Sequence, residues 1–206
     1  PGVIPIAHSQ DSVGPMTRTV TDAALILEAI ASVDPADPAT AIAADAVTNY
    51  RDALDPDGLR GARIGVPRNV YWGYSIKADA IAEAALDTMR ALGAEIIDPA
   101  DIPTADTLKG GWPPGDDTPL LVLLYEFKAD INAYLAALGP SAPVRDLAGL
   151  IDFNERHAEL EMPFFGQELF HMAQAKGPLT EPEYLRALTR NRRLSRDEGI
   201  DAVLRE

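Results

Sequence analysis

A strand, a helix and a second strand follow one another between Arg63 and Ile97, and this order constrains the fold of the 206-residue chain more than any other feature. Residues 63–67 are short, partly apolar and bounded by turn residues, which predicts a buried strand. Residues 75–92 predict a helix that stops at Gly93, with an apolar stripe of Ile81, Ala85, Met89 and Leu92. Residues 95–97 predict the second strand. Strands joined by one helix pair in parallel through a right-handed crossover, so the fold class is predicted to be α/β.

The sequence on both sides of this unit predicts helices. Thr19 and Asp22 have the spacing of a capping box before a helix over residues 20–31. Thr118 is predicted to cap a long helix with Pro119 at its first position, and the buried face of that helix holds Leu120, Leu124, Phe127, Ile131, Tyr134 and Leu138. Further helices are predicted over residues 145–161, over 167–175, and from a second capping box, Thr180 with Glu183, to Gly199. Residues 200–206 predict a strand.

The charge balance and the absence of cysteine exclude several classes of function. The chain has 32 acidic and 18 basic residues, a net charge of −14. Binding to nucleic acid depends on clustered Lys and Arg, so we expect no nucleic-acid partner. We also expect no docking on an anionic membrane, and no apolar run approaches the roughly 20 residues of a membrane helix. Without cysteine there is no disulfide, thiolate metal site or Cys nucleophile.

The remaining polar residues form none of the common catalytic motifs. No Ser lies in a Gly-x-Ser-x-Gly elbow, and no two of the three His have the i, i+4 spacing of a helical zinc site. No glycine-rich phosphate-binding pattern is present, so we expect neither a metal nor an organic cofactor. Tyr125 and Glu126 lie mid-helix in an apolar stretch, where a polar group needs a partner or a pocket. Hydrogen bonding in the core and a role in a pocket both stay open for them.

Several segments resemble the amidase signature family just downstream of its Gly/Ser-rich catalytic region. They are Gly-Val-Ile-Pro-Ile at residues 2–6, then residues 9–20 with Gly-Pro-Met-Thr-Arg at 14–18, and Asp-Ala-Ala at 22–24. The resemblance continues over residues 37–40, 61–66, 124–130 and 177–180, and so covers nearly the whole chain. It implies an α/β sandwich in which a large mixed sheet is covered by helices on both faces. The implied reaction is hydrolysis of a carboxylic amide to an acid and ammonia or an amine.

The resemblance also implies where the chemistry lies. The family's triad is a Lys, a Ser held by a cis peptide and a nucleophilic Ser, in which a neutral Lys amine relays protons through the bridging Ser. All three would precede Pro1. We therefore expect residues 1–206 to be the C-terminal portion of a single amidase domain, without the N-terminal catalytic portion, and to be inactive alone. No catalytic residue is assigned within this chain.

The parent protein is expected to be a cytoplasmic amidase acting on a small or hydrophobic amide. Two alternatives stay open: a non-catalytic scaffold subunit, and an A-type amidotransferase subunit that delivers ammonia. An intact Lys and Ser pair upstream would favour an enzyme. Part of a sheet exposes strand edges and apolar helix faces. We therefore expect that partner chains cover them, that the fragment rearranges, or that a second copy pairs with it in a homo-oligomer.

Five residues of the chain are predicted to support or line the amidase site. Asp11 and Arg18 directly follow the catalytic region in the family's order, which suggests that they brace the loop bearing the nucleophile. A local salt bridge between the loop and the start of the helix is the alternative. Tyr125, Phe164 and Phe165 are predicted to bind substrate as part of the wall of an acyl pocket.

Overall fold

The computed structural model describes residues 3–35, 37–45, 49–108 and 117–206, and the chain divides into two compact units. The first unit consists of Val13–Lys109 and Arg196–Glu206, and the second of Gly2–Ser12 and Gly110–Ser195. In the part of the chain that is described, no helix is both long enough and apolar enough to cross a membrane.

The first unit contains the predicted crossover. After helix α1 (Val20–Ile30) and two 3₁₀ helices (Pro38–Asp45 and Tyr50–Ala53), strand β1 (Arg63–Gly65) is followed by helix α2 (Ile76–Ala91) and strand β2 (Glu95–Ile97). The two strands pair in parallel, which confirms the α/β class. A short helix, α3 (Ala105–Leu108), follows β2. The larger mixed sheet stays a prediction, since the described residues contribute these two strands.

Side chains and glycine conformation fix the ends of α1 and α2, and the cap at Thr19 and the stop at Gly93 are as predicted. The Thr19 hydroxyl accepts a hydrogen bond from the Asp22 N–H at 3.1 Å and begins α1. The Ser75 hydroxyl accepts from the Ala78 N–H at 3.3 Å and begins α2. Gly93 follows α2 with φ of 95°, a left-handed conformation that glycine adopts without steric cost and that stops the helix.

Most of the apolar stripe of α2 is exposed. Ile81 is 73% exposed, Ala85 and Leu92 are also exposed, and the buried residue of this helix is Leu86. Strand β1 is likewise exposed at Arg63 and Gly65, not buried. Burial depends on tertiary partners, and among the described elements β2 is the one with which α2 makes extended contact.

The strand predicted for residues 200–206 is also wrong. A π-helix (Arg193–Ile200) runs into helix α9 (Asp201–Leu204). Ile200, Val203 and Leu204 fit helical spacing as well as a short strand, and a run of this length does not separate the two by periodicity. The Asp201 carboxylate supports the helix by pairing with Arg205 four residues later, at 3.9 Å.

An arginine joins the end of β2 to helix α2 in the first unit. The Arg68 guanidinium donates to both carboxylate oxygens of Asp98, at 2.7 and 2.5 Å, and also bonds to the Glu83 carboxylate. It lies 4.5 Å above the ring of Trp72. These hydrogen bonds hold the pKa of each of the two carboxyls below its ordinary value.

We expect this network to stabilise the protein at neutral pH and to lose that effect in acid. A carboxyl with a lowered folded pKa contributes stability above its unfolded pKa of roughly 4, and the contribution disappears as the pH falls through the folded value. Denaturant unfolding of the wild type and of Arg68→Gln between pH 7 and pH 2 checks this. The two should differ at pH 7 and converge towards pH 2, and a difference that is independent of pH would contradict the network.

The second unit is helical and is built around one central helix. Its described helices are α4 (Thr118–Ala137), α5 (Leu147–Arg156), α6 (Ala158–Glu161), α7 (Glu168–Gln174) and α8 (Pro182–Arg192). One side of α4, with Leu124 and Ile131, packs against α5 and α7. The other side, with Val122 and Tyr125, packs against α8. Burial of Leu124 and Ile131 confirms part of the predicted face, whereas Leu138 lies beyond the helix and is exposed.

Three predicted helix boundaries in this unit are wrong. Asp117, not Thr118, caps α4 by accepting from the Leu120 N–H at 3.1 Å. The helix predicted over residues 145–161 is divided at His157 into α5 and α6. The second capping box does not form, because α8 begins after Glu181 and the Glu183 carboxylate accepts a hydrogen bond from a tyrosine instead. Competing tertiary hydrogen bonds therefore override the local capping signal.

Candidate functional site

Glu126 lies at the centre of a polar cluster inside the second unit. It is 0% exposed and is the one charged side chain that is buried among the described residues. Its Oε2 accepts from the backbone N–H of Ser9 at 3.0 Å and from the Ser9 hydroxyl at 2.8 Å. Its Oε1 accepts from the Tyr184 hydroxyl at 2.8 Å. Of the two roles left open by the sequence, the structure gives Glu126 hydrogen bonding in the core.

His8 and Asp130 extend the cluster to the surface. Asp130 lies one helical turn after Glu126 on α4, and its Oδ2 accepts from the His8 backbone N–H at 2.9 Å. The same oxygen is 2.9 Å from Nδ1 of the half-exposed His8 ring. The other ring nitrogen, Nε2, lies 3.6 Å from Glu126 Oε1. Two consecutive loop residues, His8 and Ser9, thus bind the same face of α4.

The loop over residues 6–12 is also fixed from within. The Asp11 carboxylate accepts from the N–H groups of Ile6 and Ala7, at 2.8 and 3.0 Å. The N–H groups of Gln10 and Asp11 donate to the Ala7 carbonyl at 2.9 and 2.8 Å. Asp11 therefore shapes the turn that presents His8 and Ser9 to α4. Arg18, its predicted companion, is exposed in the first unit, and bracing of a nucleophile loop by these two residues stays a prediction.

The arrangement of Ser9 and Glu126 resembles a nucleophile next to a base, but its surroundings do not fit acyl transfer. A tetrahedral intermediate needs N–H donors aimed at its oxyanion. The N–H groups of His8 and Ser9 donate to Asp130 and Glu126, and those of Gln10 and Asp11 donate to Ala7. All four nearby donors are thus engaged within the loop and helix. The cluster anchors the loop to α4, and these four N–H groups are not available to an oxyanion.

A second polar group surrounds Tyr125, which is buried. Its hydroxyl lies 2.5 Å from Glu181 Oε2 and 2.8 Å from Glu183 Oε2, and its ring is 5.5 Å from that of Tyr184. Burial, followed by the two carboxylates, raises the pKa of Tyr125 far above its ordinary value, so the phenol stays protonated as a donor. Burial and the Glu126 carboxylate do the same to the pKa of Tyr184.

A glycine makes room for the Tyr125 contacts. A Cβ at Gly177 would lie 1.9 Å from Glu181 Oε1, so only glycine lets Glu181 fold back over this turn. The Lys128 ammonium donates to the carbonyls of Gln174, the last residue of α7, and of Lys176, at 2.8 and 2.5 Å. Two segments that carry the family resemblance, residues 124–130 and 177–180, therefore lie close together around these contacts.

No contact among the described residues joins the three residues that were predicted to line the acyl pocket. Tyr125 lies in the core between α4 and α8. Phe164 and Phe165 are 92% and 81% exposed in the segment between α6 and α7. The acyl pocket stays a prediction. The sequence did not identify Ser9, His8 and Tyr184 as parts of this cluster. A carboxylate inside an apolar helix indicates only that some polar partner is needed.

Comparisons with known proteins match these features to one family. The family model described as Amidase matches residues 1–204. A probable amidase of Arabidopsis thaliana is 38% identical over all of this chain and 38% of its own length. The peptide amidase of Stenotrophomonas maltophilia is 42% identical, with a TM-score of 0.84 over 99% of this chain and 40% of that chain.

A partial match joins the chain to another group of proteins. The A-type subunit of the glutamyl-tRNA(Gln) amidotransferase of an Anaeromyxobacter species is 45% identical over 98 residues, 47% of this chain. The chain thus spans about two fifths of the length of the amidases that it matches throughout. The family model and the amidases similar over its whole length agree: the chain belongs to the amidase family.

Proposed function

We propose that the full-length protein is an amidase that hydrolyses the terminal amide of a peptide to a free acid and ammonia. The observation that supports this most strongly is the match to peptide amidase over 99% of the chain. A structure similar to the same extent is described as peptide amidase in complex with the competitive inhibitor chymostatin. A peptide amide is thus a more specific substrate than the small or hydrophobic amide expected from sequence.

We further propose that the reaction uses a Ser–Ser–Lys triad outside this chain, which is inactive alone. The arrangement of lysines supports this. Lys128 donates to two backbone carbonyls, and the Lys176 ammonium lies 5.3 Å from the centre of the Tyr125 ring. No lysine in the described part of the chain donates a hydrogen bond to a serine hydroxyl. A neutral amine that relays protons to a serine has no candidate among them.

Residues 1–206 are then the C-terminal portion of one amidase domain. Phe164 and Phe165 remain candidates for contact with the acyl side of the substrate, since two adjacent rings with most of their surface exposed are available for binding. The burial of Tyr125 favours a core role over a place in the same wall. Asp11 acts in this proposal by shaping the loop that follows the catalytic region.

Coverage favours a simple amidase over an amidotransferase subunit. Similarity to the A-type amidotransferase subunit extends over 47% of the chain, whereas similarity to the probable amidase of Arabidopsis thaliana extends over all of it. A non-catalytic scaffold subunit would have the same fold but would not turn over the substrate. The cytoplasmic location and the homo-oligomer stay predictions.

Ammonia release from a C-terminally amidated peptide by the full-length protein tests the proposal. We expect turnover by the wild type, and none by a variant with alanine at the upstream nucleophilic serine. The 206-residue chain alone should give no turnover, and the matched free-acid peptide should release no ammonia. Lack of activity in the wild type would favour the scaffold subunit. Activity of the isolated chain would refute the placement of the triad outside it.

A further inference from the structure

We propose that one face of helix α8, continued into the π-helix after it, binds an acidic segment of a second copy of the protein. Five residues of the second unit line an open groove on this arginine face: Leu185, Arg186, Thr189, Arg190 and Arg193. The acidic segment is residues 152–161, which run from the second half of α5 to the end of α6. The contact is separate from the hydrolytic chemistry proposed above and does not depend on it.

The arginine face is a local excess of positive charge in an acidic chain. Residues 185–195 contain four arginines and no acidic residue, whereas the whole chain has a net charge of −14. Several other exposed arginines pair with carboxylates of the chain. In the part of the chain that the structure describes, Arg186 makes no ion pair, and Arg190 donates to the Thr118 hydroxyl, at 2.9 Å, and not to an acid. Guanidinium groups bind carboxylates through paired hydrogen bonds, so the face fits an acidic partner.

The acidic segment supplies the opposite charge in the same unit. Its four carboxylates outnumber its one arginine, and all four acidic residues are exposed: Asp152, Glu155, Glu159 and Glu161. Asp152 is paired with Arg156 at 3.2 Å, whereas Glu159 and Glu161 form no ion pair within the described ranges. The carboxylates of these two glutamates are therefore available to guanidinium groups of another molecule.

The two surfaces lie on opposite sides of the central helix α4. Helix α8 packs against the side of α4 that carries Val122, and α5 packs against the side that carries Ile131. Helical periodicity places these two residues on opposite faces of α4. Surfaces on opposite sides of a molecule meet head to tail, so each copy can bind a further copy, as in rings and chains.

A second copy fits the arginine face better than a nucleic acid does. A duplex extends far beyond one helix face, and the acidic remainder of the chain would repel its phosphates. Each of the two surfaces also exposes a leucine, Leu185 at 49% and Leu160 at 78%, which adds apolar contact beside the charges. Exposed ion pairs are individually weak, so we expect the association to be weak and sensitive to salt.

Sedimentation equilibrium of the full-length protein tests the contact with two charge reversals. Arg186→Glu disables the arginine face, and Glu161→Arg disables the acidic segment. We expect the wild type to self-associate with a Kd that rises at least tenfold in each variant, and also when NaCl is raised from about 50 mM to about 500 mM. The matched control is Arg60→Glu, an equal change of charge at an exposed arginine of the first unit, and it should leave the Kd unchanged.

A mixture of the two variants distinguishes this contact from a general effect of charge. Arg186→Glu keeps the acidic segment and Glu161→Arg keeps the arginine face, so one wild-type contact can form between the two chains. We expect each variant alone to be monomeric and the mixture to give a heterodimer and nothing larger, with far-UV circular dichroism verifying that both are folded. A wild type or a mixture that stays monomeric at low salt would overturn the proposal. So would a monomeric wild type that binds polyglutamate or a duplex oligonucleotide through Arg186, since the face would then serve a foreign anion.

Discussion

Replacing Glu126 by alanine should lower the free energy of unfolding by about 3–5 kcal/mol. The substitution leaves the buried Tyr184 hydroxyl without its acceptor and releases both hydrogen bonds of Ser9. An unsatisfied buried donor is destabilising by about 1–3 kcal/mol, and hydrogen bonds to a charged acceptor contribute about 1.5–3 kcal/mol. Urea denaturation followed by far-UV circular dichroism measures the change.

The matched control for this change is Glu159→Ala. Glu159 is an exposed glutamate of the short helix α6, and its loss should alter the free energy of unfolding by less than about 0.5 kcal/mol. Tyr184→Phe removes one of the three hydrogen bonds of Glu126, so its effect should be smaller and should not add to that of Glu126→Ala. A loss below about 1 kcal/mol in Glu126→Ala would show that the cluster does not hold the loop.

The Glu126 cluster illustrates which features the sequence could predict. A buried glutamate in an apolar helix predicts a polar partner, and the structure confirms that need. The sequence does not identify that partner, because Ser9 lies 117 residues away along the chain. Nothing in the local pattern around Ser9 or Tyr184 indicates this pairing, which depends on how the loop and two helices pack. The sequence predicts that Glu126 needs a polar partner, but it does not predict that Ser9 and Tyr184 provide it.

Local signals succeeded where the interaction itself is local. The cap at Thr19 and the stop at Gly93 each involve atoms within a few residues, so spacing alone predicts them. The apolar stripe of α2 did not predict which of its residues are buried, because burial depends on the elements that the helix meets. The helix buries Leu86 and leaves Ile81 exposed. Burial is a tertiary property, and periodicity predicts only which residues could share a face.

The second large effect is expected in the core between α4 and α5. Leu147, the first residue of α5, is 0% exposed and packs with Leu124 and Ile131 of α4. Its backbone N–H donates to Asn132 Oδ1 at 2.7 Å, a bond that survives a change of side chain. Leu147→Ala should therefore act through the cavity alone and lower the free energy of unfolding by about 3 kcal/mol. The same urea denaturation measures it.

Leu160→Ala is the matched control, since this leucine of α6 is 78% exposed and its truncation should change the free energy of unfolding by less than about 0.5 kcal/mol. A loss near that value for Leu147→Ala as well would contradict the packing of α5 on α4.

The double variant with Leu147→Ala and Glu126→Ala tests whether the two sides of α4 are energetically coupled. Leu147 packs against the side that carries Leu124, whereas Glu126 bonds to Tyr184 of α8. Effects that add within about 0.5 kcal/mol would mean that the two sides act independently, and a larger deviation would mean that they are energetically coupled.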